Sequence, residues 1–323
     1  MHFHGARAFS IGVIFVVIAL MSACQKQQEP LRIALLEWPP YELAFWAREN
    51  NWFTSEQAML LEYKTPSEVT RAFATGAVDI IAVTSDFALT LMEEYPDTRL
   101  IVVIDASNGG DTVLAKQPLK KGDSFKGKRI GAESGPLSSY MLARFMDKFG
   151  IDDDELKIKY VDIPGQASMW ESDEIDLLIT YDPIRSQLKA KGAFEIFTTK
   201  EIPNEVIDVF LIREEKLESQ KDNLKTFVSG WFKAVKDLNS GNPEVFEFIG
   251  KREKLSAEVV REIFTEISVP GYSENLIQLS GENKEFMAGF DQHEKIMLDK
   301  KLMAKAVDKK ALITNKALLL IEP

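Results

Sequence analysis

The sequence predicts an α/β protein of two lobes, on three observations. Short apolar runs alternate with helix-period stretches from residue 31 onward, the pattern of parallel βα units. Two of those runs end in hydroxyl-rich loops that open helices, once near Thr84-Ser85-Asp86 and once near Ser134, Ser138 and Ser139. Two breaks, at 106–111 and 206–213, read as passages out of one lobe and back into it.

Residues 31–36 form the first expected strand. The loop that follows is stiffened by Pro39 and Pro40 and carries Glu37, Trp38 and Tyr41. A helix over 41–50 turns Leu43, Phe45, Trp46 and Ala47 toward a core. Residues 58–63 are the second strand, and a helix over 67–75 stops at Gly76. The strand 79–83 runs into Thr84-Ser85-Asp86 and a helix reaching about Glu94, and 99–105 is a fourth strand. This order predicts a parallel sheet.

The turn-rich stretch 106–111 includes Ser107 and Asn108. Beyond it, 112–116, 128–132, 157–162, 175–180 and 194–197 read as strands of the second lobe, with helices to Phe149, over about 166–170 and to Lys191. Ser134-Gly135-Pro136 ends the 128–132 strand, and Ser138 and Ser139 stand where a helix N-cap would. Two readings of the serines stand: they cap the helix, or they and its free N–H groups face a small polar ligand. Everything after Glu214 looks helical and most simply packs back on the first lobe. The expected lobes are therefore 31–108 with 209–323, and 109–208. Ligands of open α/β sheets bind at the carboxyl ends of the strands, so two facing junctions make a cleft.

The first 23 residues read as a targeting segment. His2, His4 and Arg7 precede an apolar run over 9–20, too short to span a bilayer comfortably. Met21-Ser22-Ala23-Cys24 then resembles the bacterial lipobox, with Met21 where leucine is usual. Cys24 is expected to be lipidated and to anchor the mature chain through a polar tether over 24–30; a plain secretory signal or an uncleaved anchor are the competing readings. Cys24 is the only cysteine of the 323 residues, so no intramolecular disulfide forms.

A net charge of −11, spread along the chain, argues against a nucleic-acid partner. There is no G-x-S-x-G elbow and no G-x-G-x-x-G. The stretch 122–129 has P-loop spacing, but Arg129 stands where Ser or Thr would bind Mg²⁺ and the glycines precede a strand. The acidic run 152–155 reads as a solvated turn. Of three histidines only His293 lies beyond the targeting segment, and it reads as a solvent-facing helix residue; no metal or cofactor is expected.

Taken in order, the segments PPYELAFWARENNWF, RAFATGAVDIIAVTS, FKGKRIGAESG, DEIDLLITYDP and LMAKAVDKKALITNKALLLI resemble the solute-binding proteins of ABC importers. The branch is the one that includes nitrate, sulfonate, taurine and thiamine-precursor binders (NMT1/THI5-like). That resemblance implies a two-lobe periplasmic-binding-protein-like fold of type II with two hinge crossings, no enzymatic activity, a small-molecule ligand, an ABC permease as partner and a monomer at the cell envelope. A ligand sensor reporting to a membrane receptor is the alternative. An enzyme resembling thiamine-pyrimidine synthases is a further rival, and no histidine stands at a junction to serve it.

The expected cleft residues are Glu37, Trp38, Tyr41, Thr84, Ser85, Asp86, Ser107, Asn108, Ser134, Ser138, Ser139, Gln166, Tyr181 and Asp182. Trp38 and Tyr41 either stack on a flat ligand or pack on the following helix. Glu37 and Asp182 place negative charge at the junctions, and Arg185, one helical turn past Asp182, is the only basic residue near one. The expected ligand is therefore cationic or an amino-substituted heterocycle.

Overall fold

The computed structural model describes residues 28–120, 122–152 and 154–321. The targeting segment, Cys24 and all but the end of the tether lie outside them. Two sheets form. In the first, β1 (Leu31–Leu35), β2 (Ala58–Glu62) and β3 (Ile80–Thr84) run parallel, joined through a 3-10 turn (Pro39–Tyr41), α1 (Glu42–Glu49) and α2 (Pro66–Ala74). β1 and β3 are almost wholly apolar and buried, as the inner strands of a parallel sheet require, whereas the edge strand β2 leaves Met59 and Glu62 exposed. Pro66 and a Thr65–Glu68 capping box start α2, and Gly76 leaves it at φ 71°, where a glycine is unstrained.

α3 (Ser85–Glu94) follows β3 directly, with Thr84 as its N-cap, and leads to β4 (Thr98–Ser107). The return strand β10 (Ile207–Arg213) is the departure from the expected all-parallel order. It inserts between β3 and β4 and is antiparallel to both, giving the order β11-β4-β10-β3-β1-β2, where β11 is Ile267–Ser268. The apolar run 206–213 is thus a central strand of the first lobe and not a crossing. The crossing lies upstream, where the chain leaves the second sheet at Thr198.

That second sheet has the order β7-β6-β8-β5-β9, from β5 (Thr112–Ala115), β6 (Arg129–Ala132), β7 (Lys157–Tyr160), β8 (Leu177–Thr180) and β9 (Phe194–Thr198). β6, β7 and β8 are parallel and β5 is antiparallel to both its neighbours. α4 (Pro136–Phe149), α5 (Ile163–Glu171) and α6 (Ile184–Ala190) flank it.

The lobes share a device. Arg32 on β1 and Asp79 before β3 are 47 residues apart; the Arg32 amide, Nε and Nη2 all donate to the carboxylate at 2.9 Å, and Asp79 N returns a bond to Arg32 O at 2.8 Å. Arg129 on β6 and Asp176 before β8 repeat the spacing and the bond set at 2.8–3.0 Å. Bidentate pairs of this kind fix the strand ends in register.

The C-terminal helices pack on the first lobe, as expected. The long α8 (Lys221–Asn239), preceded by α7 (Glu214–Ser219), buries Trp231 and Phe227 edge-on against Phe210 of β10 at ring separations of 5.0 and 5.3 Å. After α9 (Pro243–Glu253), α10 (Ala257–Ile263) and α11 (Tyr272–Gln278) comes α12 (Lys284–Asp299). His293 on α12 is 1% exposed and not solvent-facing: its ring stacks on Tyr140 of α4 at 4.0 Å and its Nδ1 lies 3.1 Å from Ser85 Oγ. The helix meets both lobes, which turns this residue inward. Among the described residues no helix is long and apolar enough to cross a membrane.

Candidate binding cleft

Trp38 is held extended just ahead of the 3-10 turn, where Pro39 and Pro40 fix the direction of the chain. Its ring is 5% exposed, its Nε1–H donates to Asp105 Oδ2 at 3.1 Å, and its edge meets Tyr181 at the end of β8. Tyr41, on the last residue of that turn, points its hydroxyl to Asp208. Together with Thr84 and Phe87 at the head of α3, Ser107 at the end of β4, and Leu137 at the start of α4, these side chains enclose about 470 Å³ of empty space, part of it open to solvent. Asp111 and Asp208 are the acidic groups on its wall, and among the described residues no Lys, Arg or His lines it.

The two crossings are tied together behind this cavity. Ser107 Oγ and Thr199 Oγ1 lie 2.8 Å apart, Gly109 N donates to Thr199 at 2.7 Å, and Asp111 N donates to Ser107 Oγ at 3.2 Å. Gly110 is required here: a Cβ would come 2.9 Å from the Trp38 ring.

The electrostatics are one-sided. Burial pushes Asp105 up to about 7 and Asp111 up to about 6, with Asp182 adding to the second. Asp208 is pushed well above the ordinary carboxylate range by burial and then by Asp105. Asp86 is fully buried, without a hydrogen-bond partner on either oxygen, and burial pushes it to about 7. Glu133, at the end of β6, is pushed to about 8 by burial and Asp162, and its field reaches Tyr181.

Of the residues expected from sequence, Trp38, Tyr41, Thr84, Ser107 and Tyr181 line the cavity. The others do not. Glu37, Asn108 and Ser134 are exposed. Pro136 occupies the first helical position and draws the start of α4 upstream, so Gly135 is the N-cap and Ser138 and Ser139 fall within the first turns. Ser85 is spent on His293. Gln166 accepts from Thr180 Oγ1 at 2.6 Å and donates to Ile179 O at 3.3 Å, holding α5 to β8. Asp182 is not an unpaired charge: it accepts from Ser186 N at 3.0 Å, Ser186 Oγ at 2.5 Å and Arg185 at 3.1 Å. Arg185 in turn binds Glu195 at 2.6 Å and Glu266, so it is not free for a ligand.

Sequence reasoning missed Phe87, Leu137, Asp111 and Asp208 on the wall, and Asp105 behind them. The signal was there for two of these. Asp105 and Asp208 are single carboxylates inside the apolar runs 99–107 and 206–212, and a charge in a buried strand demands a partner or a purpose.

Two α/β lobes, two crossings and a cavity between them define a periplasmic-binding-protein-like fold. Within it, the chain belongs to the NMT1/THI5-like family, which residues 40–244 match. Curated relatives include proteins designated binding proteins in Brucella abortus and Brucella suis, 22% identical over 219 residues, spanning 63% of this chain and 67% of theirs. Among solved structures, the fold is shared with the alkanesulfonate-binding protein SsuA of Xanthomonas axonopodis pv. citri bound to MOPS (TM-score 0.72, 16% identity, 88% of this chain and 99% of that one). It is also shared with the periplasmic aliphatic sulphonate-binding protein SsuA of Escherichia coli (TM-score 0.70, 14% identity, 90% and 99%).

Proposed function

We propose that the protein is the solute-binding component of an ABC importer and that its cleft takes a small cationic or amino-substituted aromatic ligand. The observation that carries this reading is the wall itself: Asp111 and Asp208 stand among Trp38, Tyr41, Phe87 and Tyr181, with no basic side chain among the described residues lining the space. Aromatic faces attract cations, and a carboxylate in a partly desolvated pocket adds several kcal/mol at an effective dielectric of about 20. The sulfonate binders named above share the fold, but a sulfonate here would meet two acids and no cation.

The same reading places the protein at the cell envelope, held by a lipid on Cys24 and delivering its ligand to a permease. The apolar run 9–20 and Met21-Ser22-Ala23 before the cysteine support it. A thermal-shift screen over amines, aminopyrimidines, amino acids, sulfonates and oxyanions tests the ligand class, because a ligand of the native state alone raises the melting temperature. Stabilisation by cations and amino-heterocycles is expected; stabilisation by anions only would overturn the reading.

A further inference from the structure

Asp105 and Asp208 are directly opposite one another on β4 and β10, in a buried part of the first sheet just below the cavity. Groups from several elements face the pair. From the 3-10 turn come the Trp38 indole N–H, donating to Asp105 at 3.1 Å, and the Tyr41 hydroxyl, facing Asp208. From the first crossing comes Asp111, a third acid. From the second lobe come Tyr181 and, more distantly, Glu133, Asp182 and Arg185, the last engaged by Asp182, Glu195 and Glu266. Among the described residues no Lys or Arg pairs with either carboxylate. Asp208 Oδ1 is buried without a hydrogen-bond partner, on a residue that lines the cavity.

Two carboxylates at cross-strand distance in a dry site do not both ionise; they share a proton. A cation arriving at Asp208 Oδ1 supplies the counter-charge that the fold withholds, and the proton is then no longer favoured. Resting on the cationic reading above, we propose that the Asp105–Asp208 pair holds one shared proton in the ligand-free protein and that the positive group of the ligand displaces it to solvent. Each binding event releases one proton, and Asp105, which does not line the cavity, acts as a positioning residue that sets the charge of Asp208. The pair therefore carries one negative charge when empty and two when filled, and the ligand's positive charge keeps pair and ligand together at the same net charge. Affinity for a fixed cation then rises about tenfold per pH unit while the pair is protonated and levels off once it is not.

The test is isothermal titration of the mature protein at pH 6.5 with three permanently charged probes: tetramethylammonium, choline and benzyltrimethylammonium. None of them can change its own protonation. Each is run in two buffers of different ionisation enthalpy, so that the slope of the heat against buffer enthalpy counts protons. Release of close to one proton per cation bound is expected, falling to a small fraction in Asp105→Asn, whose amide donates to Asp208 and leaves it ionised without a partner proton. Binding of a cation with no proton release would overturn the inference and leave the cationic reading standing. No binding by any of the three would overturn the reading and the inference with it. If Asp105→Asn fails to fold, the wild-type proton count decides alone.

Discussion

Trp38 and Tyr181 meet edge to face, with ring centroids 5.7 Å apart and planes at 89°. Trp38 belongs to the first sheet's leading loop and Tyr181 to the end of β8 in the second, so the contact joins the two lobes across the mouth of the cavity. Aromatic pairs in this arrangement contribute about 0.5–1.5 kcal/mol beyond their buried area. The contact therefore favours the apposition of the two lobes in the state described.

Trp38→Phe keeps a ring against Tyr181 and removes the N–H that Asp105 receives. A hydrogen bond to a charged group is worth about 1.5–3 kcal/mol. Losing it from a buried acceptor should lower the melting temperature, and ligand affinity should fall with it, about tenfold or more, read by a thermal melt alongside titration calorimetry. Equal affinity in the two proteins would remove Trp38 from the site's electrostatics.

The buried acids set a pH dependence of stability. Asp86 and Asp105 at about 7, Asp111 at about 6, Glu133 at about 8 and Glu253 at about 9 are all raised, foremost by burial, above their ordinary values of 3.8 for Asp and 4.5 for Glu. A raised carboxyl binds its proton more tightly folded than unfolded, so its stabilising contribution is lost as pH rises through the folded value. His293, drawn down to about 3 by burial from 6.5, works in the opposite sense, but only between those values. Above pH 6.5 the acids act unopposed. The ligand-free protein should lose melting temperature steadily from pH 6.5 to 9, and a rise over that range would contradict the burial described.

Arg185 is 2% exposed and is shared by Asp182, Glu195 and Glu266, the last lying beside β11 in the first lobe. Arg185→Met leaves three carboxylates without that partner. The cost of breaking a buried ion pair from one side is about 3–5 kcal/mol. Lys191→Met, which removes only an exposed pair with Glu171, should stay within about 0.5 kcal/mol of wild type. Urea unfolding of the two variants makes the comparison, and similar midpoints would show that the Arg185 cluster stabilises nothing.

Much of the fold was legible because parallel strands announce themselves as short apolar runs and helices by their period and stops. Ile80–Thr84 into α3 and Arg129–Ala132 into α4 were visible in this way, as was the packing of the C-terminal helices on the first lobe. The insertion of β10 between β3 and β4 was not, since an apolar run does not encode which neighbours it takes. In the cleft, Trp38, Tyr41, Thr84, Ser107 and Tyr181 were found because they follow strand ends. Asp208 and Asp105 were not, because they sit inside strands that looked like plain core. Glu37 and Asp182 were given a charge role that geometry withholds: one faces solvent, and the other caps α6 and pairs with Arg185.

Anchoring is tested at Cys24, which is outside the described residues. Cys24→Ser should block processing at that site and abolish incorporation of labelled fatty acid, read by membrane fractionation and labelling. Labelling equal to wild type would end the lipoprotein proposal.

The proposed selection of positive charge by the cavity rests on Asp111 and Asp208. It is met most directly by calorimetric titration of wild type, Asp111→Asn and Asp208→Asn with benzyltrimethylammonium and with ethanesulfonate, at pH 8. Binding of the cation to wild type, weakened about tenfold or more by each substitution, with no binding of the sulfonate, is the predicted result. Tight binding of ethanesulfonate by the wild type, retained or improved in both variants, would contradict it.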